Sequence, residues 1–129
     1  MVYLDASVAL AHLLAEDRRP APEFWQEPII ASRLLEYEIR TVINLRPAVR
    51  LEDEVIRGLI GRIALIELIP EILQRARERF PLPLRTLDAL HLASATFLIN
   101  EGVKLELATY DERMSTVAKK LKIPLYRKL

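Results

Sequence analysis

Short apolar runs alternate along the chain with segments whose apolar residues recur every three or four positions. The runs are too short to be helices, and they predict buried strands at residues 2–4, 29–31, 66–69, 105–109 and 123–125. The periodic segments predict helices at residues 7–15, 33–45, 51–63, 71–80, 87–99 and 111–121. Strands that alternate with helices favour an α/β fold, and we expect a three-layer α/β/α sandwich around a central, mostly parallel sheet.

Polar residues at the ends of these segments predict where several helices begin and end. Ser7, Ser32 and Thr86 each stand at the start of a helical segment, where a side-chain oxygen can accept a hydrogen bond from a free backbone N–H group. Gly102 follows the segment 87–99 and is expected to stop it, because glycine readily adopts the left-handed conformation that ends many helices. This helix is apolar on most sides, so we expect it to pack against both the sheet and a neighbouring helix.

The composition limits the classes of protein and of site. A chain of 129 residues fits a single domain over residues 1–129, and its hydrophobic content of 51% is too high for a disordered protein. The absence of cysteine excludes disulfides, zinc thiolates and thiol nucleophiles. No apolar run reaches the roughly 18–20 residues of a membrane span, and no basic leader opens the chain, so we expect a cytoplasmic protein without membrane contact. The net charge of +1 does not indicate binding of nucleic acid by electrostatics alone.

Three aspartates lie where an α/β fold gathers side chains. Asp5 and Asp111 follow predicted strands, and Asp88 lies in the first turn of a predicted helix. Each position has an ordinary structural explanation, because aspartate caps helices and an anion near a helix N-terminus is favoured by about 0.3–1 kcal/mol. In open parallel sheets, binding sites also form beyond the carboxyl ends of the strands. Taken singly, each of the three aspartates could be a helix cap or part of a binding site.

The helix at 33–45 contains two glutamates that point in nearly opposite directions. Glu36 lies one turn before Arg40, in the order that favours an ion pair on the helix surface. Glu38 lies in the middle of the apolar stripe of the helix, so its carboxylate faces the core. A buried carboxylate is costly unless it is paired with a cation or with backbone amides, protonated, or bound to a metal. The residues alone leave these alternatives open for Glu38.

Together, four acidic side chains at strand ends, at a helix start and on a buried helix face indicate a metal site. Close carboxylates repel one another and raise one another's pKa, so a fold gathers them only where something compensates their charge. Mg²⁺ and Mn²⁺ choose oxygen ligands and retain several waters. Such a site is more typical of metal-dependent phosphoryl transfer than of a general acid–base pair.

Four segments carry these acids in order: MVYLDASVAL, SRLLEYEIR, LDALHLASA and LATYDERM. They span nearly the whole chain, and together they resemble the PIN-domain family, in particular the VapC toxins of bacterial and archaeal toxin–antitoxin pairs. The resemblance implies one PIN domain over residues 1–129 that acts as a metal-dependent endoribonuclease. It also implies the site residues: Mg²⁺, or Mn²⁺, bound by Asp5, Glu38, Asp88 and Asp111, with Ser7 and Thr109 orienting the acids or their waters.

The same resemblance implies several partners for the chain. An RNA substrate, a VapB-type antitoxin that covers the acidic site and a second copy of the chain are expected. The apolar stripe of residues 51–63 is a hypothesis for the dimer surface, with simple core packing as the alternative. One position departs from the family pattern: VapC chains often carry an arginine three residues after the glutamate, and this chain has Thr41 there. The contact that such an arginine makes is therefore not assigned.

The implied reaction needs no histidine. A metal-bound water would attack the RNA phosphorus and leave a 5′-phosphate and a 3′-hydroxyl. His91, inside the apolar helix, and His12 are interpreted as core or interface residues. Basic residues near the C-terminus, and Arg113 beside Asp111, are candidates for RNA contacts, although a solvated helix face explains them as well. The C-terminal residues are Lys119, Lys120, Lys122, Arg127 and Lys128.

Three other functions were weighed against this one. A haloacid-dehalogenase-type phosphatase shares an aspartate loop after its first strand, but Ser7 stands where the second aspartate is needed and no glycine-rich hairpin follows. A receiver domain needs paired acids after its first strand and a lysine at the end of its last strand, and neither can be placed. A catalytically inactive PIN-like binding module is the non-enzymatic alternative, and the presence of all four acids argues against it.

Overall fold

One parallel sheet organises the protein, whose residues 1–129 are all described by a computed structural model. The sheet contains β1 (Val2–Leu4), β2 (Ile29–Ser32), β3 (Ile63–Ile66) and β4 (Glu106–Ala108), in the order β3-β2-β1-β4. The helices are α1 (Ala6–Leu13), α2 (Leu34–Asn44), α3 (Asp53–Ile60), α4 (Pro70–Ala76), α5 (Thr86–Asn100) and α6 (Glu112–Lys120), and a 3₁₀ helix spans Pro22–Gln26. The predicted α/β class is confirmed, and every strand pairing is parallel.

Alternating side chains of the central strand separate two apolar cores. Val2 and Leu4 of β1 point to one face, where they join buried residues of α1, α2 and α3. Tyr3 points to the other face and joins buried residues of α5 and α6. Because successive side chains of a strand face opposite sides, β1 is buried on both faces, as in the middle layer of a sandwich.

The order of the strands places a crevice at the carboxyl end of β1. After β1 the chain passes to β2 on one side, and β4 later pairs with β1 on the other side. The register of this pair aligns Leu4 with Ala108, so the residues that follow both strands, Asp5 and Thr109, meet at the same edge. Binding sites in such sheets form where the strand order reverses in this way.

The segment around α3 differs from the prediction. The helix expected over 51–63 covers Asp53–Ile60, and the strand expected at 66–69 lies three residues earlier, at Ile63–Ile66. Because Ile63 continues the four-residue spacing of the helix, the sequence pattern does not show that the helix has already ended. In the sheet it pairs with Ile29. Pro70 occupies the first turn of α4, where its missing N–H group has no cost, so residues 67–69 form the connection.

Other predicted boundaries also change. The helix expected over 71–80 ends at Ala76, and the strand expected at 123–125 is reduced to one bridge between Leu107 and Leu125. Gly102 has φ +93° just past α5, as its role as a helix stop requires. No helix of the protein has both the length and the apolar character that crossing a membrane demands.

The predicted N-caps are only partly correct. Asp5, and not Ser7, caps α1, because the carboxylate of Asp5 accepts a hydrogen bond from the backbone N–H of Ser7. Ser32 accepts from the N–H of Leu34 at 3.2 Å, but Arg33, and not Ser32, occupies the N-cap position of α2. Thr86 is itself the first helical residue of α5 and makes no capping bond.

Candidate active site

Asp5 is held by hydroxyl groups from two neighbouring strand ends. Its Oδ2 accepts hydrogen bonds from Ser7 Oγ at 2.6 Å and from Thr109 Oγ1 at 2.8 Å. The two hydroxyls accept in turn from backbone N–H groups, Ser7 from Tyr110 at 2.9 Å and Thr109 from Asp111 at 3.0 Å. Asp5 is 4% exposed, and its Oδ1 accepts no hydrogen bond from the protein. The network therefore fixes one carboxylate oxygen and leaves the other available to a ligand.

Asp111 caps helix α6 beside this network. Its Oδ1 accepts a hydrogen bond from the N–H of Met114 at 2.8 Å, so Asp111 is a helix cap, as one of its two interpretations predicted. Its backbone N–H is the group that donates to Thr109, which ties the start of α6 to Asp5 through one hydroxyl. The cap uses one carboxylate oxygen, and a role as a ligand for the other oxygen is compatible with it.

Asp88 is an acid of the site whose pKa is raised by its surroundings. Burial raises the pKa of its carboxyl group, and the charges of Asp5, Asp111 and Glu38 raise it further. Only Arg85 opposes them, and its Nε lies 3.9 Å from Asp88 Oδ2 on a side chain that is 89% exposed. Such an exposed cation compensates weakly because water screens it. The four predicted acids are thus close enough for their charges to interact, and at Asp88 only the exposed Arg85 offsets them.

Glu38 is paired with a buried histidine. Pairing with another side chain is one of the alternatives that the sequence left open for this carboxylate. Its Oε1 is hydrogen-bonded to Nε2 of His91, a residue of α5 that is fully buried. Burial would lower the pKa of His91, but the hydrogen bond and charge of Glu38, with the charges of Asp5 and Asp88, outweigh it and raise the pKa. The Glu38 side chain is 12% exposed, as expected for the apolar face of α2.

A tyrosine continues this pair into the sheet. Nδ1 of His91 is hydrogen-bonded to the hydroxyl of Tyr3 at 2.9 Å, and that hydroxyl accepts from the N–H of Ser32 at 3.2 Å. Burial raises the pKa of Tyr3, so its hydroxyl stays protonated. Sequence reasoning missed this chain of hydrogen bonds. The signal was the three-residue spacing from Asp88 to His91, which puts both side chains on one face of α5.

Several secondary predictions can be compared with the structure. Glu36 forms the expected ion pair with Arg40 at 3.1 Å. His91 is a core residue as expected, whereas His12 is exposed beside the ring of Trp25 and does not belong to the core. Ile56 of α3 is buried in the core, which is the packing alternative for the proposed dimer stripe. The basic residues of the C-terminal region are exposed: Lys119, Lys120, Lys122, Arg127 and Lys128.

Two cavities meet at Asp88. One, of about 670 Å³, is lined by Glu38 and Asp88 together with apolar residues of α2 and α5. The other, of about 450 Å³, is lined by Asp88 and Asp111, and by Arg113, whose guanidinium donates to the carbonyl of Pro83 at 3.0 Å. Asp88 therefore stands between the Glu38 side and the Asp111 side of the site.

The carboxylates fit a hard divalent cation, although they do not form a closed ligand shell. No three acidic or histidine side chains stand close enough together to enclose a metal ion. Mg²⁺ does not need such a cage, because it keeps several waters and is commonly bound by one or two carboxylates. The uncompensated charge around Asp88 is what a cation would relieve, and the free Oδ1 of Asp5 supplies an oxygen of the preferred type.

Comparisons with known proteins agree with this architecture. A family model described as "PIN domain" matches residues 2–120. Ribonuclease VapC46 of Mycobacterium tuberculosis is 32% identical over 125 residues, which cover 93% of this chain and 92% of the relative. The crystal structure of M. tuberculosis VapC20, described as a Sarcin-Ricin loop cleaving toxin, has the same fold with a TM-score of 0.65. That alignment covers 90% of this chain and 94% of VapC20 at 16% identity. The chain therefore belongs to the PIN-domain family and, within it, to the VapC type of toxin.

Proposed function

We propose that this protein is a toxin ribonuclease that hydrolyses RNA phosphodiester bonds with the help of a divalent cation. The observation that carries the proposal is the geometry at the carboxyl end of β1, where Ser7 and Thr109 hold one oxygen of Asp5 and leave the other free. Asp88, Asp111 and Glu38 lie near enough to Asp5 for their charges to interact, as the raised pKa of Asp88 indicates. The names of its relatives support the class of substrate, since VapC46 is described as a ribonuclease and VapC20 as a toxin that cleaves the Sarcin-Ricin loop.

Four carboxylates would hold the cation, which is Mg²⁺ or Mn²⁺: those of Asp5, Glu38, Asp88 and Asp111. When bound, such an ion supplies a water of lowered pKa as a nucleophile and stabilises charge on the phosphoryl oxygens. The expected products carry a 5′-phosphate and a 3′-hydroxyl. His91 is not a catalytic group in this proposal, because its two nitrogens are engaged by Glu38 and Tyr3.

The protein's own part in the reaction is to keep the acids in place. Ser7 and Thr109 donate to one oxygen of Asp5 and set the orientation of its carboxylate. His91 orients Glu38 in the same manner from the other side of the site. Groups that orient metal ligands in this way commonly change metal affinity or activity by about 10–100-fold when they are removed.

The biological setting follows from the same proposal. A cytoplasmic toxin of this type would be restrained by a VapB-type antitoxin that covers the acidic residues, and the chain would work as a homodimer. Arg40 bonds to Glu36 and Asp53 and is therefore not the group that replaces the arginine absent at Thr41.

The test is RNA cleavage by Asp88→Asn. This variant keeps the shape of the side chain and removes its charge, so we expect folded protein that no longer cleaves total bacterial RNA in Mg²⁺. Asp53→Asn is the matched control, because Asp53 is an exposed acid on α3 with no contact to the site. EDTA should abolish cleavage by the wild type, and added Mn²⁺ should restore it. Undiminished cleavage in EDTA, or by Asp88→Asn, would contradict the proposal.

A further inference from the structure

A separate cleft of about 350 Å³ opens next to the acids, between the end of α1, the segment after it and the segment after α2. Two of its lining residues, Ser7 and Asp111, already belong to the candidate active site. Its volume lies within the roughly 300–1,000 Å³ of ordinary small-ligand pockets. The other lining residues are Leu10, Leu14, Glu16, Arg18, Arg46 and Tyr110.

The two arginines of this cleft have free guanidinium groups. Neither Arg18 nor Arg46 takes part in any ion pair or side-chain hydrogen bond of the structure. Other arginines near the acids are engaged: Arg113 donates to Pro83, and Arg85 pairs weakly with Asp88. A planar, permanently charged fork with five free donors is the side chain best suited to a phosphate group.

Tyr110 connects this cleft to the acids and holds one of the arginines. The guanidinium carbon of Arg18 lies 4.5 Å from the centroid of the Tyr110 ring, a cation–π arrangement. The backbone N–H of Tyr110 donates to Ser7 Oγ, which itself donates to Asp5. The Tyr110 hydroxyl is buried without a partner, so the ring is anchored by packing and by its backbone. Tyr110 thus links Arg18, through one ring contact and one backbone hydrogen bond, to the hydroxyl that donates to Asp5.

An RNA strand that approaches this site meets the carboxylates of Asp5, Asp88 and Asp111, while the whole chain carries a net charge of only +1. Attraction must therefore come from cations placed beside the acids. We propose that Arg18 and Arg46 bind the RNA phosphate next to the one that is cleaved, with Tyr110 as the positioning residue for Arg18. This inference rests on the proposed ribonuclease function. Glu16, which lines the cleft together with Asp111, is exposed.

Binding of a short, fluorescein-labelled single-stranded RNA tests the assignment. The measurement is fluorescence anisotropy over a salt series, in Mg²⁺ and in the Asp88→Asn protein, so that the RNA stays intact. Arg18→Gln and Arg46→Gln should each weaken binding several-fold. The slope of log affinity against log salt should fall in each variant and by about 0.7 in the double variant, the value for one phosphate contact on a single strand. Arg57→Gln is the control, since Arg57 is 72% exposed and lines none of the cavities around the acids.

Substitutions of Tyr110 separate positioning from general stability. Tyr110→Phe keeps the ring and removes only an unpartnered hydroxyl, so it should retain more of the affinity and salt slope than Tyr110→Leu does. Tyr110→Leu removes the ring and should lower both towards those of Arg18→Gln. In the Arg18→Gln background, Tyr110→Leu should add little, because the two residues act as one unit. Thermal melting and circular dichroism confirm that each variant is folded, and Arg18→Lys, which keeps the charge, should recover part of the affinity.

Each outcome decides the assignment. Unchanged RNA affinity and salt slope in both arginine variants would overturn it. So would a loss of binding to poly-glutamate with RNA binding intact, which would assign the cleft to an acidic protein segment. With Asp88 restored, a wild type that cleaves RNA no better than its arginine variants overturns the cleft assignment and leaves the proposed function standing. A wild type that neither cleaves nor binds RNA overturns both.

Discussion

Asp5 and Glu38, two acids of the candidate site, are held by different chemistry. Asp5 is bonded to the uncharged hydroxyls of Ser7 and Thr109, which orient its carboxylate without neutralising it. Glu38 is bonded to His91, and the hydrogen bond and charge of Glu38 help to raise the pKa of that imidazole. We call Asp5, Ser7 and Thr109 the hydroxyl arm and Glu38, His91 and Tyr3 the histidine arm. The hydroxyl arm leaves one carboxylate oxygen free for a ligand, whereas the histidine arm also stabilises the fold.

The two arms also differ in how much of the fold they connect. The Asp5 network joins the ends of two paired strands and the starts of α1 and α6. The Glu38 pair joins α2, which belongs to the core on one face of the sheet, to α5, which belongs to the core on the other. Loss of the first arm should therefore affect chemistry most, and loss of the second should affect stability most.

The largest expected effect is on RNA cleavage by Asp5→Asn. We expect a loss of at least about a hundredfold, since removing a direct ligand should exceed the 10–100-fold typical of its supporting groups. Glu38→Gln should lose less, because an amide still offers an oxygen to His91. Initial rates on the same RNA measure both variants. Equal losses in the two would remove the functional distinction between the arms.

The next effect is on stability, through His91→Phe. This change leaves the Tyr3 hydroxyl and the Glu38 carboxylate buried without their partner. We expect the free energy of unfolding to fall by about 3 kcal/mol, the scale for breaking a buried charged pair. Urea denaturation followed by circular dichroism measures it. A loss below that of Thr109→Val would contradict the structural duty of this arm.

Thr109→Val tests the hydroxyl arm by removing one oxygen. The substitution keeps the volume and deletes the donor to Asp5 and the acceptor for Asp111. We expect about a tenfold lower rate of RNA cleavage and about 1 kcal/mol lower stability. Thr116→Val is the control, because Thr116 lies on the exposed face of α6 and its hydroxyl bonds only to the Glu112 carbonyl. A full rate in Thr109→Val would show that Asp5 does not need this support.

The smallest effect separates the two roles of Asp111. Asp111→Asn keeps an oxygen for the N–H of Met114, so stability should change by less than about 0.5 kcal/mol, whereas Asp111→Ala should lose about 1 kcal/mol with the cap. RNA cleavage should fall in both variants if the carboxylate is a ligand. Full cleavage by Asp111→Asn would reduce Asp111 to a helix cap.

Sequence patterns predicted the class of fold because the buried parallel strands form apolar runs that are separated by helices. They failed where one residue satisfies two patterns. Ile63 fits the helical stripe that precedes it and begins β3, which moved the predicted strand by three residues. Asp5 and Ser7 are both good caps, and only the structure shows that the carboxylate accepts from the N–H group.

The candidate site was predictable in its residue types and less so in its pairings. The period of α2 distinguished Glu38 from Glu36, because it depends on one helix alone. The bond from Glu38 to His91 connects residues 53 positions apart and depends on how two layers meet, which no local pattern contains. The same is true of Arg18 and Arg46, which follow different helices and meet only in the folded cleft.

The central claim is that the four carboxylates share a divalent cation, and paramagnetic broadening by Mn²⁺ tests it most directly. In an isotope-labelled sample, a substoichiometric amount of Mn²⁺ should broaden the amide resonances around Asp5, Glu38, Asp88 and Asp111 before any others. The broadening should be lost in Asp88→Asn and displaced by Mg²⁺. Broadening confined to other acidic residues such as Asp53, or unchanged in Asp88→Asn, would contradict the account.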